Sequence, residues 1–412
     1  MAKRNNGFLY LIAVVLAMSA VQCKVPLDSG ASSPNYIRLL GVDPPQAVNA
    51  MRKTKDGNIL FLTTVSVPRG DTGTISNFEI TTCDLSGNLI SSKRYGDSLD
   101  FVAADCVVLS DGSIIVVGTL NTGPNRSSIE VFHIDALGKV LSAKPFAVSQ
   151  DVSHASAVCQ LGNGSFVVEG WRHNGLYSCY DGIFLYLSAT ADSTGLDIVS
   201  DKQKGDDYKA LILSPGQSND WVGLGTFVKN SSNAEPWVFS SINGQLGSSA
   251  MFSNHGGTLR SVLRTNGQNY VVVGDSSIFS TSSVPTAASI ALLSFASLDG
   301  TSQPIWYKNF SLDIHNSFTN VISASSGGLA VTGFTANAAG DTSIVMFRFD
   351  DSGKEVWPHQ TYPFEGGDIP AGILETPDHG FAIGGVTTSF GGRPSRRQLF
   401  LLRVNADGTT IK

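Results

Sequence analysis

The sequence predicts an all-β chain built from seven repeats of one four-stranded unit and closed into a ring, a seven-bladed β-propeller. Three observations carry that reading. Charged residues are 15% of the chain while glycine reaches 43 residues, against about 25% charged in typical soluble chains, a balance that favours turns and strands. No stretch after residue 35 keeps apolar residues at helical spacing for three turns. Short apolar runs ending near a glycine return on a steady beat.

These runs are DGSIIVVGT with Gly118, NGSFVVEGW with Gly170, SNDWVGLGT with Gly225, GQNYVVVGD with Gly274, SGGLAVTGF with Gly333 and DHGFAIGGV with Gly385. A seventh, DGNILFLTT, has Thr63 at that place. Successive positions lie 49 to 59 residues apart, the length of a four-stranded unit with short turns. A second marker follows each first one by 19 to 26 residues, in turns such as DLSGN, DALGK, SINGQ, SLDGT, DDSGK and NADGT, with glycines at 87, 138, 244, 300, 353 and 408. Asp or Asn bonds its own backbone two residues on and glycine accepts positive φ, so these are hairpin corners. The third repeat lacks a clean copy. Each repeat reads as strand, DG turn, strand, variable loop, strand, DxxG turn, strand.

Such a sheet has two apolar faces and must pack against neighbours, and a ring of four to eight blades does this. The repeats span about 47–100, 101–152, 153–207, 208–257, 258–316, 317–368 and 369–412. The last stops just after its DG turn, while YIRLLG near Tyr36 precedes the first with nothing to pair, so residues 36–41 are expected to complete the last blade. With its DG-apolar-G core and later DxxG turn, the chain from 36 to 412 resembles the delta-sixty type of bacterial propeller repeat. That resemblance implies an exported or surface propeller and says little about activity.

Residues 1–23 read as a signal peptide. Lys3 and Arg4 precede an apolar run from Phe8 to Val21, too short for a bilayer core of about 30 Å. The run ends at Cys23, which resembles the lipidated cysteine of a bacterial lipoprotein. Ala20 and Gln22 depart from that family's pattern, so cleavage after Ser19 or Ala20 is the other reading. Residues 24–35, small, polar and proline-bearing, suit a flexible tether. The expected place is the bacterial cell envelope, periplasmic or on the surface, with the membrane engaged through a lipid anchor. Cys83, Cys106, Cys159 and Cys179 show no paired CxxC and read as structural, with room for one disulfide.

Net charge is −6 with no basic block, so a nucleic-acid partner is not expected. The expected state is a monomer. There is no GxSxG elbow, HExxH pair, phosphate loop or EF-hand run, so neither cofactor nor metal is expected and no catalytic residue is named. FDDSGKEVW shares only Asp351 and Gly353 with the Asp-box of sialidase propellers.

Long loops after the second strand, including PRGDTGTISN, WRHNGLYSCYDG, DSSIFSTSSVPTAA and FGGRPSRRQ, share one face with the links between blades. That face is the candidate for binding a protein or glycan. Blade 3 offers Trp171, His173, Tyr177 and Tyr180, whose rings suit sugar faces or a protein hot spot, or else form a local mini-core. Arg393, Arg396 and Arg397 are candidates for a carboxylate or phosphate. Acids in the links, among them Asp100, Asp206, Asp207, Asp313 and Asp368, would ring one mouth of the channel, where the inner strands contribute His154, Lys209 and Arg260. The first functional reading is a non-catalytic binder of a protein or glycan. The second is a glycan-active hydrolase or lyase with carboxylates and His154 at that mouth. A purely structural module of an envelope assembly is the third.

Overall fold

The computed structural model describes residues 37–40, 47–69, 73–96, 99–123, 125–148, 152–175, 179–199, 206–215, 220–229, 233–251, 258–265, 269–276, 287–294, 304–363, 366–389 and 397–411. These residues form strands and turns with no helix among them. Blade 1 holds β2 (Ala47–Lys53), β3 (Ile59–Pro68), β4 (Thr74–Cys83) and β5 (Leu89–Tyr95). Blade 2 holds β6 (Asp100–Val108), β7 (Ile114–Gly123), β8 (Arg126–Ile134) and β9 (Val140–Phe146). Blade 3 holds β10 (Ser153–Gln160), β11 (Phe166–Asn174), β12 (Cys179–Leu187) and β13 (Ser193–Val199). Blade 4 holds β14 (Asp206–Pro215), β15 (Trp221–Lys229), β16 (Asn233–Ile242) and β17 (Gln245–Met251). Blade 5 holds β18 (Thr258–Arg264), β19 (Asn269–Ser276), β20 (Ala287–Ser294) and β21 (Trp306–Phe310). Blade 6 holds β22 (His315–Ser323), β23 (Leu329–Ala336), β24 (Thr342–Phe349) and β25 (Gln360–Tyr362). Blade 7 holds β26 (Asp368–Glu375), β27 (Phe381–Thr387) and β28 (Gln398–Val404) and takes β1 (Ile37–Leu40) as its outer strand.

The chain start therefore completes the chain end. β1 runs antiparallel to β28, with Ile37 opposite Leu402 and Leu40 opposite Leu399. The core confirms the circle. Buried apolar side chains fall into seven clusters, one between each pair of successive blades, and the seventh joins Leu40, Leu399 and Leu401 to Met51, Ile59 and Phe61. A line of seven sheets would have one interface fewer.

Each inner strand slips register by one residue at the same place, making a bulge at Asn49, Ala104, Ser156, Leu211, Arg260, Thr319 and Ala371. The bulge explains the first marker glycine. It tips the carbonyl two residues upstream onto the neighbouring strand, so that a Cβ on Gly170 would stand 2.0 Å from the His154 oxygen, on Gly274 2.0 Å from that of Thr258, and on Gly333 2.0 Å from that of Ser317. At these three places a side chain would force the backbone to shift, whereas blade 1 accommodates Thr63 at the equivalent one.

The second marker has a different cause. Gly87, Gly138, Gly244, Gly353 and Gly408 have φ between 78° and 82°, a region open to glycine. Asp84 Oδ1 accepts the N–H groups of Ser86 and Asn88, each at 2.8 Å. Blade 3 builds the same corner from other residues: Ser188 Oγ accepts the Asp192 N–H at 3.1 Å, and Ala191 takes φ 57°. Strands of one blade then hold the next blade's corner. Tyr95 donates to the Gly138 carbonyl at 3.1 Å, Lys144 to that of Thr190 at 2.8 Å, Tyr362 to that of Gly408 at 2.6 Å and Arg403 to that of Leu85 at 2.6 Å.

Candidate functional site

The loops of the candidate face are shorter than the sequence suggested in two blades. β3 runs to Pro68 and β4 resumes at Thr74, and β11 runs to Asn174 with β12 resuming at Cys179. The alternating apolar and polar residues of TISNFEI and EGWRHN keep pairing where turn-rich composition implied a loop. The blade 3 aromatics consequently sit on paired strands, which fixes their faces. Opposite residues of antiparallel strands share a side. His154 faces Trp171, Trp171 faces Gly182, and His173 faces Tyr180.

A ladder of rings results. His154 stacks on Trp171 with centroids 3.9 Å apart and planes at 22°, Trp171 meets Tyr180 edge-on at 4.7 Å, and Tyr180 meets His173 edge-on at 5.6 Å. Gly182, paired with Trp171, presents no side chain of its own there. All four rings are half-buried, and Trp171 packs on the core between blades 3 and 4. Burial lowers the His154 pKa below the ordinary imidazole value, so its ring is neutral at neutral pH. A parallel bridge from Tyr180 to Asp207 starts the inner strand of blade 4 beside the ladder.

The opposite side of the same hairpin carries a polar clamp that the sequence reading missed. Arg172 reaches Asp181 at 3.3 Å, and Asn174 donates to the same carboxylate at 3.0 Å. Arg172 also donates to the Val148 carbonyl at 3.2 Å, and the His173 N–H to that of Val152 at 2.8 Å. The hairpin is thereby tied to Val148 and Val152, which flank the link between blades 2 and 3. Only the hairpin register, which pairs Arg172 with Asp181, reveals this from the sequence.

The remaining candidates are dispersed. Lys209 sits on β14 at the position equivalent to His154 on β10, two residues before the bulge, and Asp206 and Asp207 open that strand. Arg260 is the bulge residue of blade 5, and its charge meets Asp275 at 2.9 Å. Arg397 is exposed in blade 7. Tyr177, Arg393 and Arg396 lie outside the described residues, as do the cysteine assigned to lipidation and the tether. Among the linking acids whose side chains are described, three make local hydrogen bonds. Asp100 accepts the Ser76 N–H at 2.8 Å, Asp313 accepts the Ile314 N–H at 2.8 Å, and buried Asp368 takes Ser389 Oγ at 2.9 Å. Cys83, Cys106, Cys159 and Cys179 are buried, with no disulfide among these four. Burial pushes the Cys83 and Cys106 thiols up to about 12, which leaves them unreactive.

Past the bulges, the inner strands surround a cavity of about 580 Å³ on the channel axis. Asp105 is the one carboxylate among the described residues lining it. Arg52 holds that carboxylate as an ion pair, and Asp105 also accepts the N–H of Cys106 at 2.7 Å and of Val158 in the next blade at 3.2 Å. Ser261 repeats the contact by accepting the Val321 N–H at 3.4 Å. These bonds tie neighbouring blades together at the bulge. On the tight-turn side, Ser325, Glu375 and His379 also meet, but Glu375 takes the Ser325 hydroxyl at 2.6 Å and its N–H at 2.7 Å. The acid bonds the serine itself, so the group clasps blade 6 to blade 7 and does not form a nucleophilic triad, in which the acid would orient the histidine.

No family model matches the chain, and no curated protein is similar to it. Solved structures do share its architecture. A polysaccharide lyase of family PL25, an ulvan lyase, superposes with TM-score 0.56 at 9% identity over 92% of this chain and 97% of that one. Polysaccharide lyase Uly1 superposes with TM-score 0.53 at 8% identity over 92% and 94%. A protein of unknown function from Dyadobacter fermentans gives 0.48 at 11% identity over 90% and 100%. At identities this low, the two lyase superpositions show a shared fold and nothing finer.

Proposed function

We propose that this chain is an exported propeller, held at the bacterial envelope through a lipid on Cys23, that binds a glycan without cleaving it. The carrying observation is the ladder His154–Trp171–Tyr180–His173, continuous from ring to ring at 3.9, 4.7 and 5.6 Å on the face where blades are linked. Ring faces of this kind pack on the apolar faces of sugars, while the hydroxyl and imidazole edges bond sugar hydroxyls. Arg172 and Asp181 beneath hold the hairpin rigid, which lowers the entropy lost on binding. Asp100, Asp181, Asp313 and Asp368 on this face are already bonded, which speaks against their serving as the two free carboxylates of a hydrolase.

A glycan array run with the wild type and Trp171→Ala tests the reading. Loss of signal by about tenfold or more on mutation is expected for a central aromatic anchor; unchanged binding removes the ladder from the site. The envelope assignment predicts that Cys23→Ser moves the protein from the membrane fraction to the soluble one. A lyase is the second reading, favoured by one observation: burial keeps His154 neutral and so able to take a proton. Incubation with uronate polysaccharides, followed by the ultraviolet absorbance of unsaturated uronate ends, decides between them. Product formed by the wild type and lost in His154→Ala would replace binding with catalysis.

A further inference from the structure

We infer that the outer edge of blades 1 to 3 rests on a lipid bilayer, so that the propeller is docked on the membrane as well as tethered to it; this rests on the reading of Cys23 as a lipid anchor. Seven of the twelve exposed large apolar side chains among the described residues belong to that edge. Leu89 and Ile90 lie on β5, Leu137 at the corner before β9, Val140 and Leu141 on β9, and the other two on β13. Leu137 is 91% exposed and Ile90 54%. Apolar side chains gathered on adjoining elements mark an interaction surface.

Where the chain enters the fold selects the partner. β1 starts at Ile37, opposite Leu402 near the corner end of β28. The corner of blade 1 lies against this strand, for a Cβ on Gly87 would stand 2.6 Å from the Arg38 side chain. The chain leading from Cys23 therefore arrives beside the corner that runs into Leu89 and Ile90. Residues 24–36 number thirteen, a reach of about 45 Å fully extended and about 20 Å as a coil. A bilayer that holds the Cys23 lipid lies within that reach of the chain's point of entry. Tethering also turns a weak apolar contact into an intramolecular one, which raises its effective strength.

The form of the edge fits lipid better than a rigid partner. Leu89 and Ile90 are consecutive on β5, and Val140 and Leu141 on β9, so within each pair the side chains point to opposite sides of an edge strand. A protein surface would cover one side, whereas the fluid boundary of a bilayer surrounds both. Contact at the headgroup level leaves the unpaired backbone groups of the edge in reach of water, which the hydrocarbon core would deny them. Lys139, exposed between Leu137 and Val140, suits the phosphate of a lipid headgroup.

The test uses the full-length lipidated protein reconstituted into vesicles of phosphatidylethanolamine and phosphatidylglycerol that contain a lipid spin-labelled at the headgroup level. Leu137→Cys and, three blades round the ring, Val356→Cys, both exposed positions, are labelled separately with a fluorophore. The four described thiols are buried and do not compete for the label. Quenching at residue 137 is expected to exceed that at residue 356 by about threefold or more. Adding Leu89→Asp, Ile90→Asp and Leu141→Asp to Leu137→Cys should remove the excess while the protein still floats with the vesicles, because the anchor is untouched. Flotation without excess quenching at residue 137 overturns the docking and leaves the anchor standing, whereas failure to float overturns both. A dimer in solution that the three aspartate changes dissociate would assign the edge to a second copy and overturn the inference as well.

Discussion

At Gly333 the whole logic of the repeat can be seen in one residue. The glycine is legible in the sequence as a recurring letter, but its cause is not, because the carbonyl that excludes a Cβ belongs to a strand whose bulge only the structure shows. Gly333→Ala should cost about 3 kcal/mol, the upper range for overpacking, since backbone and not a pliant side chain is in the way. Denaturant midpoints measure this, and a loss within experimental error would refute the explanation. Glu130 makes the opposite point. The sequence gives no sign that it is buried, yet one of its carboxyl oxygens has no hydrogen-bond partner, and burial raises its pKa. A carboxyl raised on folding contributes no penalty below its ordinary value of 4.5, and stability is lost as pH rises through the folded value. Glu130→Gln should therefore stabilise the protein at neutral pH and make no difference near pH 4, as unfolding curves at the two pH values would show.

Strands and clasps set the next scale. Strand content was legible because apolar runs and DG corners mark every repeat. Loop length was not, because Trp171, Arg172 and His173 lie in a segment rich in turn residues that nonetheless pairs to Asn174. Nor could the sequence show that Asp105 serves the bulges of two blades. Asp105→Ala would orphan the Cys106 and Val158 N–H groups and leave Arg52 without its partner. A loss of about 3 to 5 kcal/mol is expected, read by chemical denaturation. The Glu375 clasp should respond to acid. Burial alone would raise its pKa, but the bonds from Ser325, with His379 beside it, outweigh burial and hold it below the ordinary value. A carboxyl lowered on folding stabilises above pH 4.5 and loses that contribution as pH falls through the folded value. The acid limb of stability should flatten in Glu375→Gln, and an unchanged limb would show that the clasp contributes nothing.

For the molecule as a whole, closure is the feature that ties chain ends to stability. Ile37 and Leu40, in the first described strand, are 2% and 3% exposed. Each replacement by alanine should cost about 2 to 4 kcal/mol, as in any core, whereas in a loose leader it would cost nothing. The closing strand was legible because a fragment without a partner stood at one end and a blade lacking its fourth strand at the other. The candidate site was legible only in part. His154, Trp171, His173 and Tyr180 were named from residue type, while their ordering into a ladder required the register of three strands. Arg260 was named for its charge, which Asp275 meets, and a sequence does not record such pairings. The most direct measurement is binding of array-identified glycan to the wild type and Trp171→Ala in parallel. Binding at the ladder predicts a fall of about tenfold or more for Trp171→Ala. Equal binding by the wild type and Trp171→Ala would contradict it.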